Sequence, residues 1–362
     1  MGFSNLRFYQ FRNIANTTLR LDSRNVCFVG RNGQGKTNAL EAIYLLCYGS
    51  SFRTRQDALL VHHGSSEMAL VGTAEVDERT LELDLRIQNN RKQISVDGNP
   101  VQDRKEMVHN IPCIVFCHDD IEFVSGAPDR RRWFFNQTMS MAEPQYIDYL
   151  RSYNRILKSR NQTLKDGRLD LLDVYDSQLA ETGLIIQQKR RQIVQQFNLS
   201  FQQLFREISE LPYEMTIDYR CSWDDDSTGT WILHELRRRR DMDLRLGTTT
   251  SGPHRDKLVF VANGMDFTTV ASTGQLRLLG LILRVAQARY LADMVGLRPI
   301  LLLDDVLLEL DPQRRKSFMR FLPAYLQAFY TFLPDEEFSQ YISGDTLEYR
   351  VQHGQFELFQ GR

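Results

Sequence analysis

Apolar and polar positions alternate through the first thirty residues. Leu6 and Phe8, then Leu19 and Leu21, repeat with the period of two of half-buried strands. Residues 26–29 form a short apolar run, which the glycine-rich segment 30–37 interrupts. Residues 38–46 (NALEAIYLL) have helical composition and spacing, so the opening predicts strand, loop, helix. Runs at 68–76, 81–87 and 93–96 predict antiparallel strands with polar turns at Asp77-Glu78 and Asn89-Asn90 and a hairpin signal at Asp97-Gly98. Residues 111–116 predict one more strand.

The pattern changes after Gly126-Ala127-Pro128. Tyr146, Leu150, Tyr153, Leu157 and Leu164 lie at helical spacing, as do Leu179, Ile186, Ile193, Phe197, Leu204 and Ile208. Two long packed helices are expected over 129–210. A strand is expected at 213–219 and a helix at 233–246. From Gly247 the β-rich pattern resumes: strand 258–262, turn Asn263-Gly264, helix 275–294, and a buried strand 300–303. The expected architecture is α/β: a head formed by 1–125 and 247–362, with an antiparallel β subdomain, and a helical arm, 126–246, inserted in it.

Composition narrows the class. Lys plus Arg total 45 and Asp plus Glu 46, a formal net charge of -1 over 362 residues. That balance excludes a chain that coats nucleic acid by bulk charge. Hydrophobic residues at 42% and charged residues at 25% fit an ordinary globular core. No apolar run approaches the ~18 residues of a membrane span, and the N-terminal residues lack a signal core. The five cysteines (Cys27, Cys47, Cys113, Cys117, Cys221) are scattered and make no zinc spacing, as in a reduced cytosolic protein. A cytoplasmic protein without a membrane partner is expected.

The segment Gly30-Arg31-Asn32-Gly33-Gln34-Gly35-Lys36-Thr37, followed by Asn38, matches G-x-x-x-x-G-K-[ST] completely. Glycines let backbone N–H groups turn inward around phosphate oxygens, and the helix N-terminus adds partial positive charge. Lys36 is expected on the β- and γ-phosphates and the Thr37 hydroxyl on Mg²⁺. A chance match in a chain this long is on the order of 1%. No Asn-Lys-x-Asp guanine motif occurs, so ATP is the expected nucleotide.

Residues 299–305 (PILLLDD) form an apolar strand ending in two acids. Asp304 at its carboxyl end is expected beside the phosphate loop, holding Mg²⁺. Asp305 is placed to orient or deprotonate the attacking water. Upstream, Ser272-Thr273-Gly274-Gln275 opens a predicted helix, a second anion site. Loop, signature helix and acid-terminated strand in this order describe an ABC-type (P-loop) ATPase head. In heads of that type the signature (here Ser272, Gly274, Gln275) serves the nucleotide of the opposing subunit, so dimerisation depends on ATP.

From Arg130 to Arg168 nine Lys/Arg face three Asp/Glu. Arg151, Arg155, Lys158 and Lys165 fall within about 80° of one helix surface at 100° per residue. With Arg130, Arg131 and Arg132 they are the DNA-binding candidates. No base-reading motif occurs, so sequence-independent backbone recognition is expected. The run Arg237–Arg240, flanked by Glu235, Asp241 and Asp243, fits a salt-bridged surface helix better than a DNA contact. A transporter ATPase subunit is the alternative from another class; the helical insertion and the great distance from Lys36 to Asp304 weigh against it. A small-molecule kinase would leave residues 272–277 unexplained.

The ensemble resembles the RecF family of bacterial DNA repair and recombination proteins, related to the structural-maintenance-of-chromosomes ATPases. It spans most of the chain: Phe11-Arg12-Asn13, the phosphate loop into Leu40-Glu41-Ala42, Ser51-Phe52-Arg53-Thr54, Gly126-Ala127-Pro128 with Arg130-Arg131-Arg132, and Arg160-Asn161. Gly252-Pro253-His254-Arg255-Asp256 is the most specific stretch, with Ser272-x-Gly274-Gln275 and Asp304-Asp305-x-x-x-Glu309-Leu310-Asp311 behind it. Against the family pattern the chain departs at His118, Asn136, Lys257, Thr273, Leu308 and Phe332. The resemblance implies a slow ATPase whose ATP-bound homodimer clamps single-stranded or gapped and junction DNA. It further implies a dimer-facing loop with Glu309 and Asp311, a place in the SOS response, and cooperation with RecO and RecR in loading RecA.

Overall fold

The apolar run that precedes the phosphate loop becomes the middle of a buried sheet. A computed structural model describes residues 2–76, 79–224, 228–336, 342 and 344–359; the predicted turn at Asp77-Glu78 lies outside them. The chain divides into two compact units, Met1–Asp120 with Leu283–Arg362, and Ile121–Ile282.

In chain order the first unit opens with β1 (Phe3–Tyr9), β2 (Thr17–Arg20), β3 (Asn25–Val29), α1 (Lys36–Tyr48), β4 (Glu67–Val76), β5 (Arg79–Gln88), β6 (Arg91–Val96), β7 (Asn99–Pro100), α2 (Lys105–Asn110) and β8 (Cys113–Phe116). The second unit holds α3 (Pro128–Ala142), α4 (Pro144–Lys165), α5 (Leu172–Ser209), β9 (Met215–Arg220), α6 (Gly229–Arg238), α7 (Arg240–Leu246), β10 (Lys257–Ala262) and β11 (Met265–Asp266). Helix α8 (Thr273–Arg289) runs through the division at Ile282. Then come β12 (Ile300–Leu303), α9 (Pro312–Phe321), β13 (Gln327–Phe332), β14 (Thr346–Gln352) and β15 (Gln355–Phe359).

The first unit is layered. One sheet has the order β2-β1-β4-β5-β6-β7, the other β15-β14-β3-β13-β12-β8. In the second sheet β3, β13, β12 and β8 run parallel and every residue of these four strands is buried. Parallel strands covered on both faces read as unbroken apolar runs, which is why 300–303 and 26–29 do not alternate. Helix α1 packs against strands of both sheets and is buried around its whole circumference, as a helix between two sheets must be. Among the described residues no helix is long and apolar enough to cross a membrane.

In the second unit three helices fill the stretch expected to hold two, because Pro144 starts a new helix after Glu143 turns extended. The helix expected at 233–246 is likewise broken at Arg239. Strand β10 pairs antiparallel with β9. That pairing keeps the chain after Gly247 in the second unit, which therefore runs to Ile282 rather than closing at residue 246.

Buried charge organises the second unit. The fully buried Arg160 donates to Asp176 (2.6 Å), Asp243 (2.7 Å) and the Thr249 hydroxyl (2.8 Å). The motif 252–256 forms a second knot. Arg190 donates to the Pro253 carbonyl (2.6 Å) and to Asp256 (3.2 Å), while Tyr219 also bonds Asp256. His254 bonds the Tyr153 hydroxyl through Nδ1 (2.7 Å) and the Thr249 carbonyl through Nε2 (3.0 Å). Burial, with the charges of Arg255, Arg132 and Arg190, lowers its pKa to about 4.

Two outcomes follow for stability. Replacing Arg160 with Met strands two buried carboxylates and is expected to cost about 3–5 kcal/mol in denaturant unfolding; a loss below 1 kcal/mol contradicts the role. The folded pKa of His254 lies below its unfolded value, so its contribution is complete above about pH 6.5 and falls as the pH drops towards 4. The expected loss is about 3 kcal/mol, and His254→Asn should flatten that part of the pH–stability curve.

Candidate functional site

Strand β3 delivers the chain into the phosphate loop at Gly30, and α1 begins at Lys36. Gly35, the residue before the helix, has φ +119°, a conformation L side chains rarely adopt, and no side chain caps the first turn. The first-turn N–H groups of α1 are thus left for an anion. The Lys36 amine is 3% exposed and donates to the Gly30 carbonyl (2.6 Å), 3.9 Å from Asp305. A cleft of about 700 Å³ flanks Gly30, Arg31 and Gln34 and is walled by Pro334, Glu348 and Arg350.

Strand β12 ends at Leu303, which puts Asp304 at its carboxyl end. Strand β13 stands between β3 and β12, so the two motifs are not on adjacent strands. They still meet: the Thr37 hydroxyl donates to Asp304 Oδ1 at 2.8 Å. Burial pushes the Asp304 carboxyl up to about 6; the Thr37 hydrogen bond opposes this and the Asp305 charge adds to it. A bound divalent cation reverses that balance. A hydroxyl and a carboxylate oxygen this close are the hard donors Mg²⁺ takes from protein when phosphates complete its shell. Asp305 follows with φ 53°, uncommon for a non-glycine residue.

Several participants were not assigned a role by sequence reasoning. Thr331, on the intervening strand, accepts the Asp305 N–H at 2.7 Å and lies 2.7 Å from the Asp305 carboxylate. Glu41, wholly buried on α1, accepts from Arg12 Nε (2.9 Å) and Nη2 (2.7 Å), from Ser51 and from Arg53. Asn38 donates to Asn13, which donates to the Gly33 carbonyl. Glu336 carries a carboxyl raised by burial. The β14–β15 turn braces the loop from behind: His353 N–H donates to the Gln34 side chain (2.7 Å) and Gly354 N–H to the Gln34 carbonyl (2.9 Å). Its signal was a two-residue turn between alternating strands; a lone acid in the apolar run 38–46 was the signal for Glu41.

The remaining candidates sit as follows. Ser272 and Gln275 make a reciprocal capping box at α8: Ser272 N–H donates to Gln275 Oε1 (2.9 Å) and Gln275 N–H to Ser272 Oγ (3.3 Å). Ser272, Thr273 and Gly274 are exposed. Glu309 bonds His118 (2.7 Å), and Asp311 caps α9 through Arg314 N–H (3.0 Å). Arg130, Arg151, Arg155, Lys158 and Lys165 are exposed in the second unit. Arg131 and Arg132 are not: they turn inward, half-buried, onto the carbonyls of Leu258 (3.0 Å) and Asp256 (2.8 Å). They brace their own unit and leave the set of DNA candidates. The Arg237–Arg240 run is salt-bridged to Asp173, Glu235 and Asp176.

The brace is testable. A Cβ on Gly354, whose φ is +73°, would stand 1.9 Å from the Asn13 carbonyl oxygen. Gly354→Ala is expected to weaken nucleotide binding about tenfold, a strain cost in the range of 1–3 kcal/mol. Titration with a fluorescent ATP analogue checks it; unchanged affinity removes the turn from the site.

The chain is similar in sequence and in fold to known proteins. The family model described as RecF/RecN/SMC N terminal domain matches residues 3–340. The DNA replication and repair protein RecF of Treponema pallidum (strain Nichols) is 43% identical over 345 residues, covering 95% of this chain and 97% of that protein. The Leptospira interrogans serovar copenhageni protein of the same name is 33% identical, with 94% of each chain covered. A solved structure of the recombination mediator protein RecF-ATP in the RecFOR pathway superposes with a TM-score of 0.89 at 27% identity, covering 99% of this chain and 97% of that one. An Smc head domain from Pyrococcus furiosus shares the fold alone, with a TM-score of 0.59 at 14% identity and 99% and 96% covered. With its phosphate loop, acid-terminated strand and signature helix on this scaffold, the chain belongs to the RecF family and has the ABC-type ATPase head fold.

Proposed function

We propose that this protein is an ATP-gated DNA-binding protein of recombinational repair and replication. The observation that carries the reading is the meeting of Thr37 and Asp304 at 2.8 Å beneath an uncapped helix N-terminus. The solved relative, RecF-ATP in the RecFOR pathway, supports ATP as the nucleotide and RecO and RecR as partners.

The phosphate loop, residues 30–38, holds ATP. Thr37 and Asp304 hold Mg²⁺, which supplies charge neutralisation on the phosphates. Asp305 takes a proton from water as the water oxygen bonds the γ-phosphorus and the bond to the β–γ bridging oxygen breaks, releasing ADP. Turnover is slow and regulates DNA binding. Ser272, Gly274 and Gln275 of one head act on the nucleotide of the other, beside the loop carrying Glu309 and Asp311. The closed homodimer clamps DNA at gaps and single-strand/double-strand junctions and supports RecA loading. Arg130, Arg151, Arg155, Lys158 and Lys165 contact the DNA backbone without reading sequence.

Self-association and DNA binding should require ATP, fail with ADP, and fail for Lys36→Met. Dimers and DNA complexes indifferent to nucleotide would sink the clamp. Glu replaces Gln in a capping box without loss, so Gln275→Glu keeps α8 capped while adding charge that repels a phosphate. It is expected to leave ATP binding by the monomer within about twofold and to abolish the ATP-dependent dimer, a loss of about 2 kcal/mol or more. Analytical ultracentrifugation with ATP decides; a normal dimer refutes the trans role.

A further inference from the structure

Asp305 occupies a backbone conformation that non-glycine residues seldom adopt, with φ 53°. Something must hold it there. Its N–H donates to Thr331 Oγ1 at 2.7 Å, and the same hydroxyl lies 2.7 Å from Asp305 Oδ1. A hydroxyl has one hydrogen to give. The competing acceptors are farther: Asp304 Oδ1 at 3.3 Å and the Leu303 carbonyl at 3.5 Å. The shortest contact takes the hydrogen, so Thr331 closes a ring that fixes both the backbone and the carboxylate of one residue.

The setting of Thr331 is packed, and the Lys36 amine, at 3.9 Å, stands farther from Asp305 than the Thr331 hydroxyl does. Its flanking residues, Tyr330 and Phe332, are buried and stacked on each other with ring centroids 5.9 Å apart. Thr331 itself is 3% exposed. Thr37 meanwhile donates to the other carboxylate, Asp304. One hydroxyl thus serves each acid: Thr37 for Asp304 and Thr331 for Asp305.

We propose that Thr331 is the positioning residue that aims the Asp305 carboxylate, and that the two hydroxyls divide the paired acids into a metal ligand and a proton acceptor. The proposal rests on the hydrolytic role given to Asp305 above. Thr331 acts through Asp305.

The test compares steady-state ATP hydrolysis by the full-length protein and its Thr331→Val, Thr331→Ser, Asp305→Asn and Thr331→Val/Asp305→Asn variants, with nucleotide binding and thermal melting measured on each. Losing a hydrogen bond to a charged group corresponds to about tenfold or more in rate. Thr331→Val should therefore lower kcat about tenfold or more while KM for ATP stays within about twofold. Thr331→Ser should restore kcat, and Thr331→Val should add nothing to Asp305→Asn. If Val disturbs the fold in the melt, Thr331→Ala replaces it in the same comparison. Normal kcat in Thr331→Val alongside a slow Asp305→Asn overturns the positioning role alone, as does an undiminished Thr331→Val effect in the Asp305→Asn background. Full turnover by Asp305→Asn overturns the role of Asp305 and this proposal together.

Discussion

One hydrogen bond, from the Thr37 hydroxyl to the Asp304 carboxylate, states the constraint that the head obeys. It joins residues 267 positions apart, across a strand that belongs to neither. The register sets Leu303 opposite Tyr330 and Tyr330 opposite Cys27, so β12 stops short of the paired ends Phe332 and Val29 and Asp304 comes off the sheet beside Thr331. Such a sheet is buried on both faces, so it needs cover. Helix α1 supplies it on one side, and it does so as the helix whose first turn holds the phosphate loop. Packing and chemistry therefore fall on the same element.

The buried carboxylate of α1 survives in that setting because it is paired. Glu41 is wholly buried yet receives Arg12, Ser51 and Arg53. Removing any one leaves the others to share a carboxylate in a dry environment, where an unmet charge is costly. The second unit repeats the solution with Arg160 and Arg190. The family motif at 252–256 thus reads physically as an internal brace: His254 stays neutral and Asp256 is fully bonded.

How much of this was legible depended on whether the signal was local. The phosphate loop, the strand 300–303 with its two acids, and the capping residues Ser272 and Gln275 are contiguous and carry their own chemistry. The strand between β3 and β12 was not anticipated, because nothing in QAFYTF announces its neighbours. Thr331 has meaning only once Asp305 is beside it. The same limit explains Arg131 and Arg132: a basic run reads as a ligand surface until β10 presents carbonyls to it. Breaks at Pro144 and Arg239 were missed because helix-compatible sequence lies on both sides of them.

The sheet order bears on how the protein is made. Strand β3 is synthesised long before its two neighbours, β13 and β14. The turn at His353-Gly354 that props the phosphate loop comes later still. Some 300 residues of translation separate them, on the order of 15–60 s at ~5–20 residues per second. Through that interval the loop's own sequence is complete but has no sheet to stand on. A chain can hold its whole Gly30–Thr37 motif and still lack the two strands that flank β3, so the loop gains its sheet only after β13 and β14 exist.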